Sequence, residues 1–302
     1  MNSAEASLAD RDRSRWKSPG KEFSRQVKYL IGQDAFRRNP ASVLGRLLVW
    51  RAISAVSHRK VVIKLPGYGV SIAIPSEWPG IAKLIFAYRE LYDRELVWLS
   101  RNVRPGFFVA DIGASFGIYT LVAARAAGPS GQILSFEPAA STFDILKANV
   151  ELNCLTNVHT FRCAIGEDDG EVELYHHRDS SRNSLGRTTS MIGTSESVQK
   201  RTLSNVLAKA GVAKIDLIKM DVEGMEEMAL RGCSTIVERA RPKIIIELNP
   251  GRASAIGLPA DGAWELLRSL RYKMYEIGRA SELVKVDRPP QHLVNVVAFP
   301  NE

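Results

Sequence analysis

The sequence is poor in cysteine, and none of its three cysteines is paired by spacing. Cys154, Cys163 and Cys233 form no CxxC motif, and no His/Cys cluster has zinc spacing. The expected state is three free thiols in a reducing compartment, so the predicted location is cytoplasmic. Long apolar runs are missing as well. No stretch of 18 or more apolar residues is free of charge, which argues against a transmembrane helix. The first thirty residues lack the apolar segment of a secretory signal.

What the chain does have is an uneven charge. Its 302 residues carry a formal +8. Residues 1–60 hold 13 Lys/Arg against 5 Asp/Glu, whereas residues 61–302 hold 28 of each sign. The basic character therefore belongs to the N-terminal segment.

Residues 1–25 are polar, without periodicity, and are expected to form a disordered basic tail. Residues 26–104 read as an α/β extension. Within it, Val43, Leu44, Leu47, Leu48 and Trp50 recur at helical spacing over 41–57, with Pro40 suited to the helix start and Ser42 to its cap. Two uses of that helix are open. The favoured one is packing on the main domain; the other is peripheral contact with a membrane surface, reinforced by the basic arm. Residues 61–74 read as two short strands around Pro66-Gly67-Tyr68-Gly69, and 88–100 as a helix. Pro105-Gly106 closes the extension.

From about residue 105 to 302, strands and helices alternate, giving an α/β domain with a mostly parallel sheet and helices on both faces. FFVAD, QILSFE, NVHTFRCAI, IDLIKMD and KIIIEL read as strands. GIYTLVAARAA, STFDILKANVELN, TLSNVLAKAG, MEEMALRG and AWELLRSLR read as helices, with Ser141 or Thr142 near the start of the second. EVELYHH adds an extended piece. The polar stretch 178–200 reads as irregular, and YKMYEI with HLVNVVAF closes the chain as a strand pair.

The segment VADIGASFGIYT, residues 109–120, places Asp111 at a strand end and Gly113 and Gly117 in the turn that opens a helix. Ligands of open α/β sheets lie beyond such strand ends. Glycine suits a sharp turn and a close backbone approach to the ligand. The spacing is D-x-G-x-x-x-G, not the G-x-G-x-x-G of a dinucleotide site. An acid here fits a cationic ligand such as S-adenosylmethionine (SAM) better than a pyrophosphate. Glu137 ends the next strand, where a carboxylate can accept from both ribose hydroxyls. Further on, a buried strand ends on Asp221, followed by Val222-Glu223-Gly224.

VADIGASFGIYT, SFEP at 135–138, CAIGEDDGEVEL at 163–174, RTLSNVL and IKMDVEGMEEMALRG together resemble the FkbM-type SAM-dependent methyltransferases. The resemblance runs from about 107 to 250, with D-V-E-G its most specific element. It implies a Rossmann-like class I methyltransferase with a seven-stranded sheet. The implied reaction is methyl transfer from SAM, usually to a hydroxyl oxygen of a sugar, glycan or natural product. Asp111, Gly113, Ala114 and Gly117 would line the methionyl end of SAM, Glu137 the ribose, and Cys163 and Ala164 the adenine.

A hydroxyl acceptor needs help losing its proton. Asp221 is the first candidate base, or a group orienting one, followed by Glu223 and Glu247. Asp221 and Glu247 could equally hold a divalent cation with Asn249, but no metal-ligand spacing supports one. His176 and His177 are alternative bases, with exposed strand ends as their plainer reading. Arg182, Asn183 and Ser184 are candidate acceptor contacts. Nucleic-acid methylation is a rival. However, DVEG stands where base N-methyltransferases carry Asn/Asp-Pro-Pro-aromatic, and no cysteine follows proline. A second rival is a non-catalytic SAM-binding or membrane-surface interaction protein.

Overall fold

The computed structural model describes residues 30–56, 60–75, 80–177, 183–186, 191–279 and 281–301; the predicted tail 1–25 and Arg182 lie outside them. Helices α1 (Asp34–Arg38) and α2 (Pro40–Val56) lead into a hairpin of β1 (Lys60–Leu65) and β2 (Val70–Pro75). Pro40 starts α2 as expected, but the cap is Asn39. Its side-chain oxygen accepts the Ser42 N–H at 3.0 Å, so Ser42 is capped rather than capping. The helix expected over 88–100 forms only in its C-terminal part, as α4 (Arg94–Asn102); Arg89–Leu91 is a 3-10 turn, and α3 (Ile81–Tyr88) precedes it where no helix was expected. Asp93 caps α4, accepting from the Glu95 and Leu96 N–H groups at 2.8 and 3.4 Å.

The domain proper runs β3 (Phe108–Ile112), α5 (Ile118–Ala127), β4 (Gln132–Phe136), α6 (Ala140–Leu152), β5 (Val158–Phe161), β6 (Ala164–Ile165), β7 (Gly170–His177), β8 (Met191–Arg201) and α7 (Leu203–Ala210). It continues with β9 (Leu217–Met220), α8 (Glu226–Gly232), α9 (Ser234–Ala240), β10 (Lys243–Leu248), α10 (Pro250–Ala255), α11 (Gly262–Ser269), β11 (Tyr272–Ile277), β12 (Leu283–Val286) and β13 (Val294–Pro300). The main sheet has the order β12-β11-β13-β10-β9-β3-β4-β5. Strands β5, β4, β3, β9 and β10 are parallel; β13 and β12 pair antiparallel to their neighbours. The sheet has eight strands where seven were expected, because β12 adds a short edge beside β11. Strand order reverses between β3 and β9, which is where such a fold binds its ligand.

Alternate residues along each strand serve opposite faces. Val109, Ile133, Leu217 and Ile245 belong to the core on one side, with Leu121 of α5 and Leu146 of α6. Ala110, Leu134, Ile218 and Ile244 belong to the other, with Leu207 of α7 and Leu267 of α11. The N-terminal extension joins the first core, since Ile63, Leu65, Ile72, Ile85 and Leu99 are part of that cluster. Asn149 of α6 and Asn153, which caps its C-terminal end, join the extension to the domain. Asn149 accepts the Ala73 N–H and donates to its carbonyl at 2.7 and 3.1 Å. Asn153 does the same with Ser71 at 2.7 and 2.6 Å. One helical turn separates the asparagines and a single residue, Ile72, separates their partners, so the helix supplies the hydrogen bonds a further strand would give the β2 edge.

The stretch 178–200 is not wholly irregular. Its C-terminal part is β8, which pairs with β7 and β6 in a separate three-stranded sheet. Among the described residues no helix is long and apolar enough to cross a membrane.

Candidate functional site

Strand register brings the polar residues together. Asp111 on β3 pairs with Lys219 on β9 and with Ser135 on β4, and all three face α5 and the extension. Thr120 of α5 donates to Asp111 Oδ2 at 2.6 Å and lies 2.8 Å from Ser135 Oγ. Asp111 is fully buried. Burial pushes its carboxyl up, opposed by Lys219 and Thr120. Lys219 is buried too, with Nζ 3.5 Å from Asp221 Oδ2, 4.0 Å from Asp111 Oδ1 and 4.7 Å above the Tyr119 ring. Burial works against its charge, but Asp221, Asp111, Glu247 and Asp93 together outweigh it and hold the ammonium above the usual lysine range. Asp221 is nearer than Asp111, so it sets that charge more than Asp111 does.

The glycine turn is sharp, as expected, but its close approach is to protein. Gly113 has φ 77°, and a Cβ there would run into the Asp221 carbonyl oxygen. Gly117 has φ 95°, and a Cβ would lie 2.6 Å from Leu146. Both glycines make room for neighbouring protein rather than for a ligand. The Gly113 and Ala114 N–H groups donate to the Phe136 carbonyl at 3.0 and 2.9 Å, fixing the turn to β4. Glu137 follows. Its Oε2 accepts from the Ser115 N–H at 2.9 Å and its Oε1 from the Ala139 N–H at 3.0 Å. Burial pushes its carboxyl up to about 7, with these two donors pulling the other way.

One cavity opens over these strand ends. Its wall includes Gly113, Ala114, Glu137, Cys163, Ala164, Asp221, Glu223 and Glu247, and Asn183 and Ser184 close one side. Asp111 and Gly117 are not on the wall; the Asp111 carboxylate is held by Thr120 at 2.6 Å and lies 4.0 Å from Lys219. His176 is not on it either; its Nε2 lies 3.5 Å from Glu196 of β8. Asn183 accepts the His177 N–H at 2.9 Å, and Ser184 Oγ donates to the Glu223 carbonyl at 3.1 Å. The Cys163 thiol is pushed up to about 11 by burial and does not offer a thiolate.

The three candidate bases differ in what holds them. Glu223 has φ 56°, and its carboxylate meets Arg252 of α10 at 3.1 Å. Burial raises the Glu247 carboxyl well above the carboxylate range, and Asp221, Glu223 and Glu226 add to the shift. Asp221 keeps a side chain that is 38% exposed, against 15% for Glu223. Asn249 caps α10 by accepting the Arg252 N–H at 3.2 Å. Among the described residues no three His, Cys, Asp or Glu side chains gather to hold a metal ion.

Sequence reading assigned no role to Lys219, Tyr92, Asp93 or Tyr119, all of which line the cavity. Asp93 comes from the extension and accepts from the Tyr119 hydroxyl at 2.6 Å. A lysine inside the four-residue buried strand LIKM is a legible signal, because lysine is rarely buried without a partner. Asp93 left no comparable trace.

The methyltransferase FkbM domain matches residues 111–274, more than half the chain. Methyltransferase 1 of Beauveria bassiana (strain ARSEF 2860) is 29% identical over 144 residues, covering 41% of this chain and 57% of that protein. The 31-O-demethyl-FK506 methyltransferase FkbM of Streptomyces tacrolimicus is 29% identical over 177 residues, covering 49% of this chain and 67% of that protein. The chain thus spans little more than half the length of the Beauveria relative. Among solved structures, methyltransferase FkbM from Methylobacillus flagellatus KT matches at 14% identity and a TM-score of 0.41, over 86% of this chain and 60% of that one. This chain belongs to the methyltransferase FkbM domain family.

Proposed function

We propose that this chain transfers a methyl group from SAM to a hydroxyl oxygen of a sugar, glycan or natural-product small molecule. The observation that carries the reading is the Asp221 carboxylate, open to the cavity and next to the glycine turn through the Gly113–Asp221 contact. The cofactor half fits SAM on its own terms. Ser115 Oγ is buried and has no hydrogen-bond partner, so the wall holds a polar atom that a ligand would satisfy. Glu137 adds a carboxylate in reach of ribose hydroxyls, and the carboxylates around the cavity suit a ligand with cationic groups. Ser115, Glu137, Ala114 and the Cys163-Ala164 turn would hold SAM, which when bound supplies an electrophilic methyl on a sulfonium.

The remaining work falls to the chain's own residues. Asp221 takes the proton of the attacking hydroxyl. Lys219 holds the Asp221 carboxylate in place from below, and Glu223 is held by Arg252. Tyr92 and Asp93, from the extension, wall the cavity against water. The Streptomyces relative is named for a methyl transfer to oxygen, which supports an oxygen acceptor here.

The test is a screen with methyl-labelled SAM against polyhydroxylated small molecules, glycans and RNA. Label entering a hydroxylated small molecule or glycan, with Asp221→Asn lowering turnover about 10²–10⁴-fold at unchanged SAM affinity, is the expected result. Label entering RNA would overturn the acceptor class, and full turnover by Asp221→Asn would remove it as the base.

A further inference from the structure

Helix α2 has two apolar faces, and the described residues cover one of them. On the inner face Val43 and Trp50 are buried, Trp50 lying 5.3 Å from the Phe86 ring, and Arg46 donates to the Ala87 carbonyl at 3.2 Å. On the outer face Leu44, Leu48 and Val49 are 46%, 70% and 50% exposed, and Ala52 and Ala55 extend the same row. Ile31 is exposed in the segment just before α1. Arg51 on α2 and Arg37 and Arg38 at the end of α1 are exposed. There is no carboxylate in α2. The one acid in α1, Asp34, is engaged by Arg94 at 3.0 Å.

We propose that α2 lays its Leu44–Leu48 row on an anionic lipid surface, with the neighbouring arginines among the headgroups. An apolar row flanked by cations and free of carboxylates is the pattern that binds in a membrane interface. Charge selects this occupant over the others. Residues 1–60 carry 13 basic and 5 acidic side chains, so a second copy would bring two positive faces together. A nucleic acid would use the arginines and leave the leucine row in water. The segment 1–29, with 7 basic and 4 acidic residues, is itself net basic and is a poor cover for a face that carries Arg51 and no carboxylate. Because the inner face already fixes the helix to the protein, binding needs no folding on the membrane. The contact is peripheral and does not depend on the methyltransferase reading.

The experiment is co-sedimentation of the full chain with vesicles of phosphatidylcholine alone and of phosphatidylcholine mixed with phosphatidylglycerol. The chain is expected to pellet with the mixed vesicles, less so as salt is raised. Leu44→Glu with Leu48→Glu should abolish pelleting. Each of Arg37→Ala, Arg38→Ala and Arg51→Ala should weaken it about fivefold. These side chains point outward, and circular dichroism with SAM calorimetry shows whether the fold and site are kept. The proposal is overturned if the wild type stays in solution with mixed vesicles, or if the double glutamate variant pellets equally well. A sedimenting dimer that Leu48→Glu splits would assign the row to a second copy and overturn it too.

Discussion

Lys219 Nζ stands 3.5 Å from Asp221 and 4.0 Å from Asp111, so one buried ammonium joins the acid at the end of β3 to the acid that follows β9. Asp111 is fully buried, whereas Asp221 lines the cavity, so the ammonium spans from the core to the cavity wall. Lys219→Met removes the shared partner from two carboxylates. It is expected to destabilise the fold by about 3–5 kcal/mol, the usual result of stripping a partner from a buried charge. Urea denaturation of Lys219→Met, Asp111→Asn and the double variant checks this. The two losses should fail to add, by roughly 0.5–3 kcal/mol. Simple additivity would mean that the residues do not act as a pair.

Gly113→Ala should be far more damaging than a glycine change in an open turn. The added methyl group meets the Asp221 carbonyl, and φ 77° is strained for any side chain. A loss of roughly 1–3 kcal/mol from backbone strain is expected before the clash is counted. Gly128→Ala is the control, because its φ is also positive but nothing lies within 4 Å. Equal melting temperatures for the two variants would contradict the close approach described.

Glu137 makes ligand affinity depend on pH. Its folded value of about 7 lies above the ordinary 4.5, so the folded chain holds a proton that the unfolded chain has lost between those values. This contribution to stability is present at low pH and is lost as pH rises through about 7. A ribose needs the opposite, an ionised carboxylate that accepts. SAM affinity should therefore weaken as pH falls below about 7, by up to tenfold per unit. Calorimetry across that range checks the slope, and Glu137→Gln should flatten it.

The extension should prove inseparable from the domain. Asn149→Ala removes both hydrogen bonds to the part-buried Ala73 backbone and one to the Phe116 carbonyl, at a cost of roughly 1–3 kcal/mol. Thermal unfolding should show a single lowered transition. Two transitions, with only the first shifted, would mean that the extension folds apart from the domain. By contrast, removing residues 1–25 should leave SAM affinity unchanged.

These positions show what a sequence can carry. Asp111, Glu137 and Asp221 were legible because each ends a buried strand and precedes a turn, which is local information. The reason for Gly113 was not legible, because the atom it avoids lies more than a hundred positions away, in Asp221. Lys219 was visible as a misplaced charge, but its partners come from β3 and from the loop after β9. Asp93 and Tyr92 reach the cavity only because the extension packs on α5. Strand β8 was hidden by its composition: within MIGTSESVQKR, Val198 is the one buried residue whose side chain is described, so no alternation of apolar residues marks it. Strand β12 is four residues long at a sheet edge, with three of them exposed, and leaves no pattern either.

The central claim is that the cavity over β3, β4 and β9 binds SAM, and titration calorimetry of the full chain with SAM tests it most directly. The account predicts saturable heat with one site per chain, lost in Glu137→Ala and retained in Asp221→Asn. No heat with millimolar SAM, or heat that Glu137→Ala leaves intact, would contradict it.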